Sequence, residues 1–294
     1  MKVTDIVVTG ASGFLGQNVL QAAAHICPGA ALWPVYSPRY GGVDLAAGDT
    51  LERLVNGIPV SNPKETLLIH AAAVVEWNTP AGLLKNVAIA LNAATWAKSK
   101  HIGFSILVSS VSVYPHLQTV DVKTPCQPSN LYGLGKLMAE HVWQLLLLPE
   151  RSAIVRLAGI WGWQLNPTLF WNRLLLSAAR SSPPGEVPVL HRARSLRNYI
   201  SVHDASVCLL QLGRRYLPGF FLGAGRDVVD TATFVKALQD LPDSKLIIDW
   251  KDDGGEDAFI CEPSPELLPW LSPFPEELST LWANKPEYVV RGAT

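Results

Sequence analysis

The first 160 residues alternate short β-branched apolar runs with longer stretches of helical spacing. Val3–Thr9 is a run of the first kind, and an Ala-rich pattern with apolar positions three and four apart follows it to about His25. Ala31–Tyr36, Leu67–His70 and Phe104–Ser109 predict further strands. Ala81–Lys100 and Leu134–Leu148 carry helical periodicity, and Ala153–Leu157 closes the alternation. Short apolar strands separated by helices are the pattern of a parallel sheet covered on both faces. The expected fold class is α/β, a Rossmann-type doubly wound parallel sheet.

Past Gly159 the texture changes. Prolines, tryptophans and loop residues become frequent, as in Trp161-Gly162-Trp163 and Ser181-Ser182-Pro183-Pro184-Gly185. Tyr199–Val202 predicts a return to strand, with Asp204 the expected N-cap of a following helix. Phe220–Leu222 reads as one further strand, Thr233–Leu241 as a helix and Lys245–Trp250 as a strand, while the tail from Asp252 carries no assignment. Residues 1–160, with a returning segment near 198–223, are expected to form the sheet domain. Residues 161–197 and 224–294 are expected to form a smaller, irregular lobe.

At 294 residues, 48% hydrophobic and 17% charged, the chain is long and apolar enough to bury a sizeable core. A net charge of −1 carries no polyanion signal, so no nucleic-acid partner is expected. Cys27, Cys126, Cys208 and Cys261 are far apart, which argues against a zinc site or a disulfide scaffold and suits a reducing compartment. The opening Met-Lys-Val-Thr-Asp lacks the apolar core of a signal peptide, and no run approaches the roughly 18 apolar residues of a membrane span. A soluble cytoplasmic protein without metal is the expectation. Ten tryptophans, several beyond residue 160, are expected to fill a core rather than line a pocket.

Chemistry enters at four places. Gly10-Ala11-Ser12-Gly13-Phe14-Leu15-Gly16 joins the first strand to its helix. The first glycine permits a tight turn, the second lets backbone approach a pyrophosphate, and the third lets helix pack on strand. At the end of the second strand, Tyr36-Ser37-Pro38-Arg39 carries no carboxylate before Asp44. An acid there would accept from the adenosine ribose, whereas a 2′-phosphate repels an acid and pairs with a guanidinium, so NADP is favoured with NAD the alternative. Ala71–Ala73 leaves small residues beside a strand end where backbone can approach a ligand. Finally, Ser109-Ser110-Val111-Ser112 ends another strand, and Tyr132 and Lys136 lie a turn apart on one helix face, where a cation can lower the pKa of a phenol.

With these residues in view, the chain resembles the extended short-chain dehydrogenase/reductase superfamily, whose members include NAD(P)-dependent nucleotide-sugar epimerases, dehydratases and reductases. Thr9–Gly16 resembles its Thr-Gly-x-x-Gly-Phe-x-Gly turn. Asp44-Leu45 is similar to the step that contacts adenine, and His70–Ala73 to the His-x-Ala-Ala segment beneath the cofactor. Asn86-Val87 with Asn92 resembles the Asn-Val-x-Gly-Thr-x-Asn helix, although Ala90 replaces its threonine. Ser109–Tyr114 resembles Ser-Ser-x-x-Val-Tyr, and Pro128–Lys136 resembles Pro-x-x-x-Tyr-Gly-x-Ser-Lys with Gly135 in place of serine. Arg156–Gly162, Arg197–Ala205 and Glu262–Leu278 echo later family segments.

The resemblance implies a catalytic set of Ser110, Tyr132 and Lys136. Tyr132 would move a proton at a sugar hydroxyl or ketone, Lys136 would lower its pKa and bind the nicotinamide ribose, and Ser110 would hydrogen-bond the reacting oxygen. It further implies cofactor contacts from Gly10, Ser12, Gly13, Phe14, Leu15, Gly16, Arg39, Asp44, Leu45, Ala71, Ala72 and Asn86. Ser112 and Arg197 become candidates for a nucleotide-sugar substrate, and Arg197 reads equally as a lobe-packing arginine. Val111 and Ser112 stand where 4,6-dehydratases carry Asp-Glu, which disfavours elimination. A short chain, no acid ending strand two and no asparagine in Leu157-Ala158-Gly159-Ile160 favour a ketoreductase over an epimerase that keeps its NAD. A non-catalytic NADP sensor or scaffold is the alternative of another class. Homodimerisation through Ala81–Lys100 and Tyr132–Leu148 is a further implication.

Overall fold

The computed structural model describes residues 2–290 apart from 75–77, 165–166, 168, 181–187 and 252–256. The proline-rich stretch Ser181–Gly185 and the start of the tail at Asp252 therefore lie outside the described residues. The first half runs β1 (Asp5–Thr9), α1 (Phe14–Ile26), β2 (Ala31–Val35), α2 (Thr50–Gly57), β3 (Thr66–His70), α3 (Pro80–Ser99) and β4 (Phe104–Ser110). After the short β5 (Thr119–Val120) come α4 (Leu131–Leu146), β6 (Ser152–Leu157), α5 (Phe170–Ala179) and α6 (Val202–Arg215). Six parallel strands make the main sheet, in the order Gly219–Gly223, β6, β4, β3, β1, β2.

Strand alternation sorts the side chains into two cores. Ile6, Val8, Leu67, Ile69, Ile106 and Val155 point to the face covered by α1 and α6. Val7, Leu68, Leu107 and Ile154 point the other way, to the face covered by α3 and α4. Both faces are buried, so these strands read as continuous apolar runs. The chain leaves β1 towards β2 on one side and continues from β3 on the other. This reversal opens a crevice outside the carboxyl ends of β1 and β3, where ligands of doubly wound sheets bind.

A third core lies beyond residue 160, around Trp161, Trp171, Phe234, Phe274, Leu278 and Trp282. Three of the late tryptophans therefore do fill a core, while Trp250 remains exposed. Several expectations need correction. Ser201, not Asp204, caps α6, its hydroxyl accepting from the Asp204 N–H at 3.0 Å. The Asp204 carboxylate turns away to accept from the Ser272 N–H at 2.6 Å. The strand expected over Lys245–Trp250 shrinks to Asp249–Trp250, because Leu246 is drawn into the third core. Helices α2, α5 and Phe274–Ala283 were not foreseen. The four cysteines are free thiols, and no described helix is long and apolar enough to cross a membrane.

Candidate active site

The glycine turn is built by contact between backbones. Gly10 has φ +72°, and a Cβ there would lie 2.7 Å from the Cα of Ala72, so the turn rests directly on the loop after β3. A Cβ on Gly16 would collide with the Gly10 carbonyl, which is the close packing expected of the third glycine. Gly13 caps α1 without a side-chain hydrogen bond, and the first turn of α1 holds no acid. The helix thus presents uncompensated N–H groups and its positive dipole end at the crevice, which suits a pyrophosphate. Ser12 ties the turn to the end of β2: its hydroxyl accepts from the Ser37 N–H at 3.3 Å and donates to the Ser37 hydroxyl at 3.2 Å. Arg39 is exposed on the short turn Pro38–Tyr40, its guanidinium 6.0 Å from the Tyr40 ring centre. These residues fit a dinucleotide.

Not every expected cofactor residue reaches towards that crevice. The side chains of Leu15 and Leu45 are buried in the two sheet cores, so only their backbones remain to meet a ligand. Asp44 is exposed and accepts from the Ala46 N–H at 3.0 Å. Asn86 is engaged within the protein. Its amide accepts from the Val74 N–H and donates to the Val74 carbonyl, both at 2.9 Å, and so clamps the loop that carries Ala71 and Ala72. Asn92, two turns along α3, donates to the Leu45 carbonyl at 2.9 Å and clamps the Asp44-Leu45 step.

The reacting groups gather where β4 meets α4. Asn130 caps α4 by accepting from the Gly133 N–H at 2.8 Å, which starts the helix just before Tyr132. Gly133 is required here, because a Cβ would run into the Ser112 carbonyl and lie 3.0 Å from Pro128. With that contact the first turn of α4 sits against the turn Val111–Val113, which brings the Tyr132 phenol beside the Ser110 hydroxyl. Ser110 also accepts from the Ser112 N–H at 3.1 Å and donates to the Ser112 hydroxyl at 3.2 Å. The strand-end cap and the proximity to tyrosine therefore coexist in one residue.

Electrostatics depart from expectation at Tyr132. Burial pushes its phenol up, with the neighbouring Ser110 hydroxyl pulling the other way. Lys136 is buried and donates to the Val108 carbonyl at 2.6 Å; burial pulls its ammonium down to about 8, against the opposing charge of Glu140. The imidazole of His70, buried beside Lys136, falls to about 3 through burial and that cation, and it bonds Thr9 at 2.7 Å.

Sequence reasoning missed the charged groups beneath. Glu140, 1% exposed, accepts from Arg156 through Nε at 3.1 Å and NH2 at 2.8 Å, and from the Ser109 hydroxyl at 2.5 Å. Arg156 donates onward to the Tyr114 hydroxyl at 2.9 Å, and burial pushes that phenol up to about 12. An arginine inside the apolar run Ser152–Leu157 was the available signal, since a charge there demands a partner.

Arg197 lies apart from this network, on the strand Leu196–Arg197 of the second lobe. It pairs with Asp257 at 2.5 Å, and Asp257 is also 3.1 Å from His116 and 3.9 Å from Arg192. Arg197 and His116 hold the Asp257 carboxyl below its usual range. This pairing suits its lobe-packing reading.

No curated protein sequence matches the chain at a significant level. Among solved structures, it is similar to a dTDP-4-dehydrorhamnose reductase from Bacillus anthracis in complex with NADP. The two are 16% identical over 97% of this chain and 100% of that one, with a TM-score of 0.77. It is also similar to a UDP-glucose 4-epimerase from Thermus thermophilus in complex with NAD, at 16% identity, 98% and 100% coverage and a TM-score of 0.76. A UDP-glucose 4-epimerase from Thermotoga maritima with UDP-glucose gives 16% identity, 94% and 97% coverage and a TM-score of 0.76. At such identities the likeness carries the fold alone. Residues 6–217, which hold the glycine turn, Ser110, Tyr132 and Lys136, match the NAD dependent epimerase/dehydratase family, and the chain belongs to that family.

Proposed function

We propose that this protein is an NADP-dependent oxidoreductase that reduces a keto group of a nucleotide sugar. The observation that carries the reading is the placement of the Tyr132 phenol beside the Ser110 hydroxyl, with buried Lys136 one turn further along α4. The dinucleotide, when bound, supplies the hydride. Reduction leaves negative charge on the former carbonyl oxygen, which needs a hydrogen-bond donor and a proton. Ser110 serves as the donor, and Tyr132 delivers its phenolic proton to that oxygen. Lys136 stabilises the phenolate left behind and binds the nicotinamide ribose. A phenol pushed up by burial rests in its protonated form, which favours delivery of a proton over its removal.

Exposed Arg39 and the lack of a carboxylate before Asp44 support NADP. Residues 161–197 and 224–294 are assigned to substrate binding, with the segment near 198–223 returning to the sheet domain. Free thiols are compatible with the cytoplasm. Outward-facing Leu84 and Leu91 on α3, with Leu134, Met138 and Leu145 on α4, support a homodimer in which two such helix pairs meet.

The test joins mass spectrometry of any dinucleotide released on denaturation with NADPH and NADH titrations, then turnover of 4-keto-sugar nucleotides. Tighter NADPH binding is expected, with consumption of one NADPH per ketone reduced. Tyr132→Phe should lower the rate by about 10²–10⁴-fold while leaving NADPH binding intact. Stoichiometric NAD that survives purification and recycles its hydride would replace the reading with an epimerase.

A further inference from the structure

We infer that Glu140 is a positioning residue for the reaction: its buried carboxylate holds Lys136 in the ammonium form, and Arg156 sets how much of that carboxylate's charge Lys136 receives. The inference rests on the role given to Lys136 above and extends it to two residues outside the expected catalytic set.

Lys136 and Glu140 are four apart on α4 and so share a face, and they are 4% and 1% exposed. Burial works against a charged lysine, and Glu140 is the group that opposes it. Glu140 has a second claimant. Arg156 from β6 grips both carboxylate oxygens, with Nε 3.1 Å from Oε1 and NH2 2.8 Å from Oε2, while Ser109 from β4 donates to Oε1. Lys136 reaches the Val108 carbonyl and Glu140 the hydroxyl of adjacent Ser109, so the two charged ends meet β4 at neighbouring residues. The other titratable groups around them are His70 from β3, Tyr114 and Cys126 from the segment between β4 and α4, and Tyr132 on α4 itself. His70 is neutral at working pH, and burial holds Cys126, Tyr114 and Tyr132 in their protonated forms. Among the described residues, Glu140 is therefore the anion that supports Lys136.

A merely structural Glu140–Arg156 pair would affect stability and leave the titration of Lys136 where it is. A positioning pair makes opposite predictions for its two members. Glu140→Gln removes the supporting anion, so the Lys136 midpoint should fall by about one to three units. Arg156→Met removes the competing cation, so the midpoint should rise. The readout is the ¹³Cε chemical shift of Lys136 in ¹³C-lysine-labelled protein without ligand, assigned by the signal lost in Lys136→Arg. The alkaline limb of the kcat profile should move the same way in each variant.

Midpoints that stay put in both variants, or move in the same direction, overturn the inference. If Glu140→Gln does not fold, Arg156→Met decides alone, and an unmoved or lowered midpoint sinks the idea. Because the titration needs neither dinucleotide nor substrate, it stands even if the proposed reaction fails. Absence of turnover on every keto sugar would count against the proposed function and leave this result intact.

Discussion

Two carboxylates in this protein each serve several cations, and their settings differ. Glu140 lies in the interior, paired with Arg156 and one helical turn from Lys136, 1% exposed, with Ser109 completing its hydrogen bonds. Asp257 meets Arg197, His116 and Arg192 at the second lobe, where its side chain is 21% exposed and those of His116 and Arg192 are 64% and 59% exposed. In the interior neither water nor salt can substitute for a missing partner, so every group is committed. At the lobe surface solvent weakens each pair, and a ligand anion can compete for the arginine. Glu277 supplies the contrasting case of burial with no cation beside it among the described residues. It is 9% exposed, and burial together with neighbouring Asp204 pushes its carboxyl up to about 9. The protein thus keeps a shared anion where charge must persist and an exchangeable one where substrate is proposed to arrive.

The contrast can be broken at its strongest point by Glu140→Ala. Two cations would remain buried without an anion, and urea denaturation should show a loss of about 3–5 kcal/mol. A loss below about 1 kcal/mol would mean that the interior is wetter than its geometry implies.

Glu277 gives the next largest effect, and its sign follows from proton linkage. A carboxyl raised in the folded state contributes stability in full below its unfolded value, and loses that contribution as pH rises through the folded value. Glu277→Gln should therefore match the parent Tm near pH 5 and exceed it by roughly 5 °C at pH 9. Parallel melting profiles across that range would contradict a Glu277 carboxyl raised by burial and Asp204.

Asp257→Asn should change stability by less than about 1 kcal/mol. It should nevertheless tighten binding of a nucleoside diphosphate severalfold by isothermal calorimetry, because Arg197 loses its internal competitor. Unchanged affinity would remove Arg197 from the proposed substrate site. Salt gives the finest discrimination. Moving from 50 mM to 0.5 M should shrink the Asp257→Asn effect on binding and leave the Glu140→Ala effect on stability nearly untouched.

The parts of this structure most legible in the sequence are those where backbone meets backbone. Gly10 and Gly16 mark their positions because any Cβ would strike another chain segment. The buried parallel strands announce themselves as unbroken apolar runs. Side chains that act at a distance were harder to read. Asn86 suggested a ligand contact, yet it bonds the Val74 backbone, just as Asn92 bonds the Leu45 carbonyl, at loops whose positions depend on the tertiary fold. Arg197 gave no sign of Asp257, sixty residues later in the chain. Asp204 had the composition of a cap, but Ser201 reached the free N–H groups first. Tyr132 and Lys136 were legible as a pair; the direction of the tyrosine's pKa was not, because burial outweighs spacing.

Helix α3 has a metric consequence. Asn86 grips the loop after β3 and Asn92 grips the Asp44-Leu45 step, two segments expected to line the dinucleotide. Six residues of α-helix separate the two grips, roughly 9 Å along a rod that hardly stretches. The separation of the two loops is thus set by a covalent ruler and not by the softer packing of either loop. Inserting a single residue between the two asparagines would swing one grip about 100° around the axis, and the two segments could no longer be held in register at once.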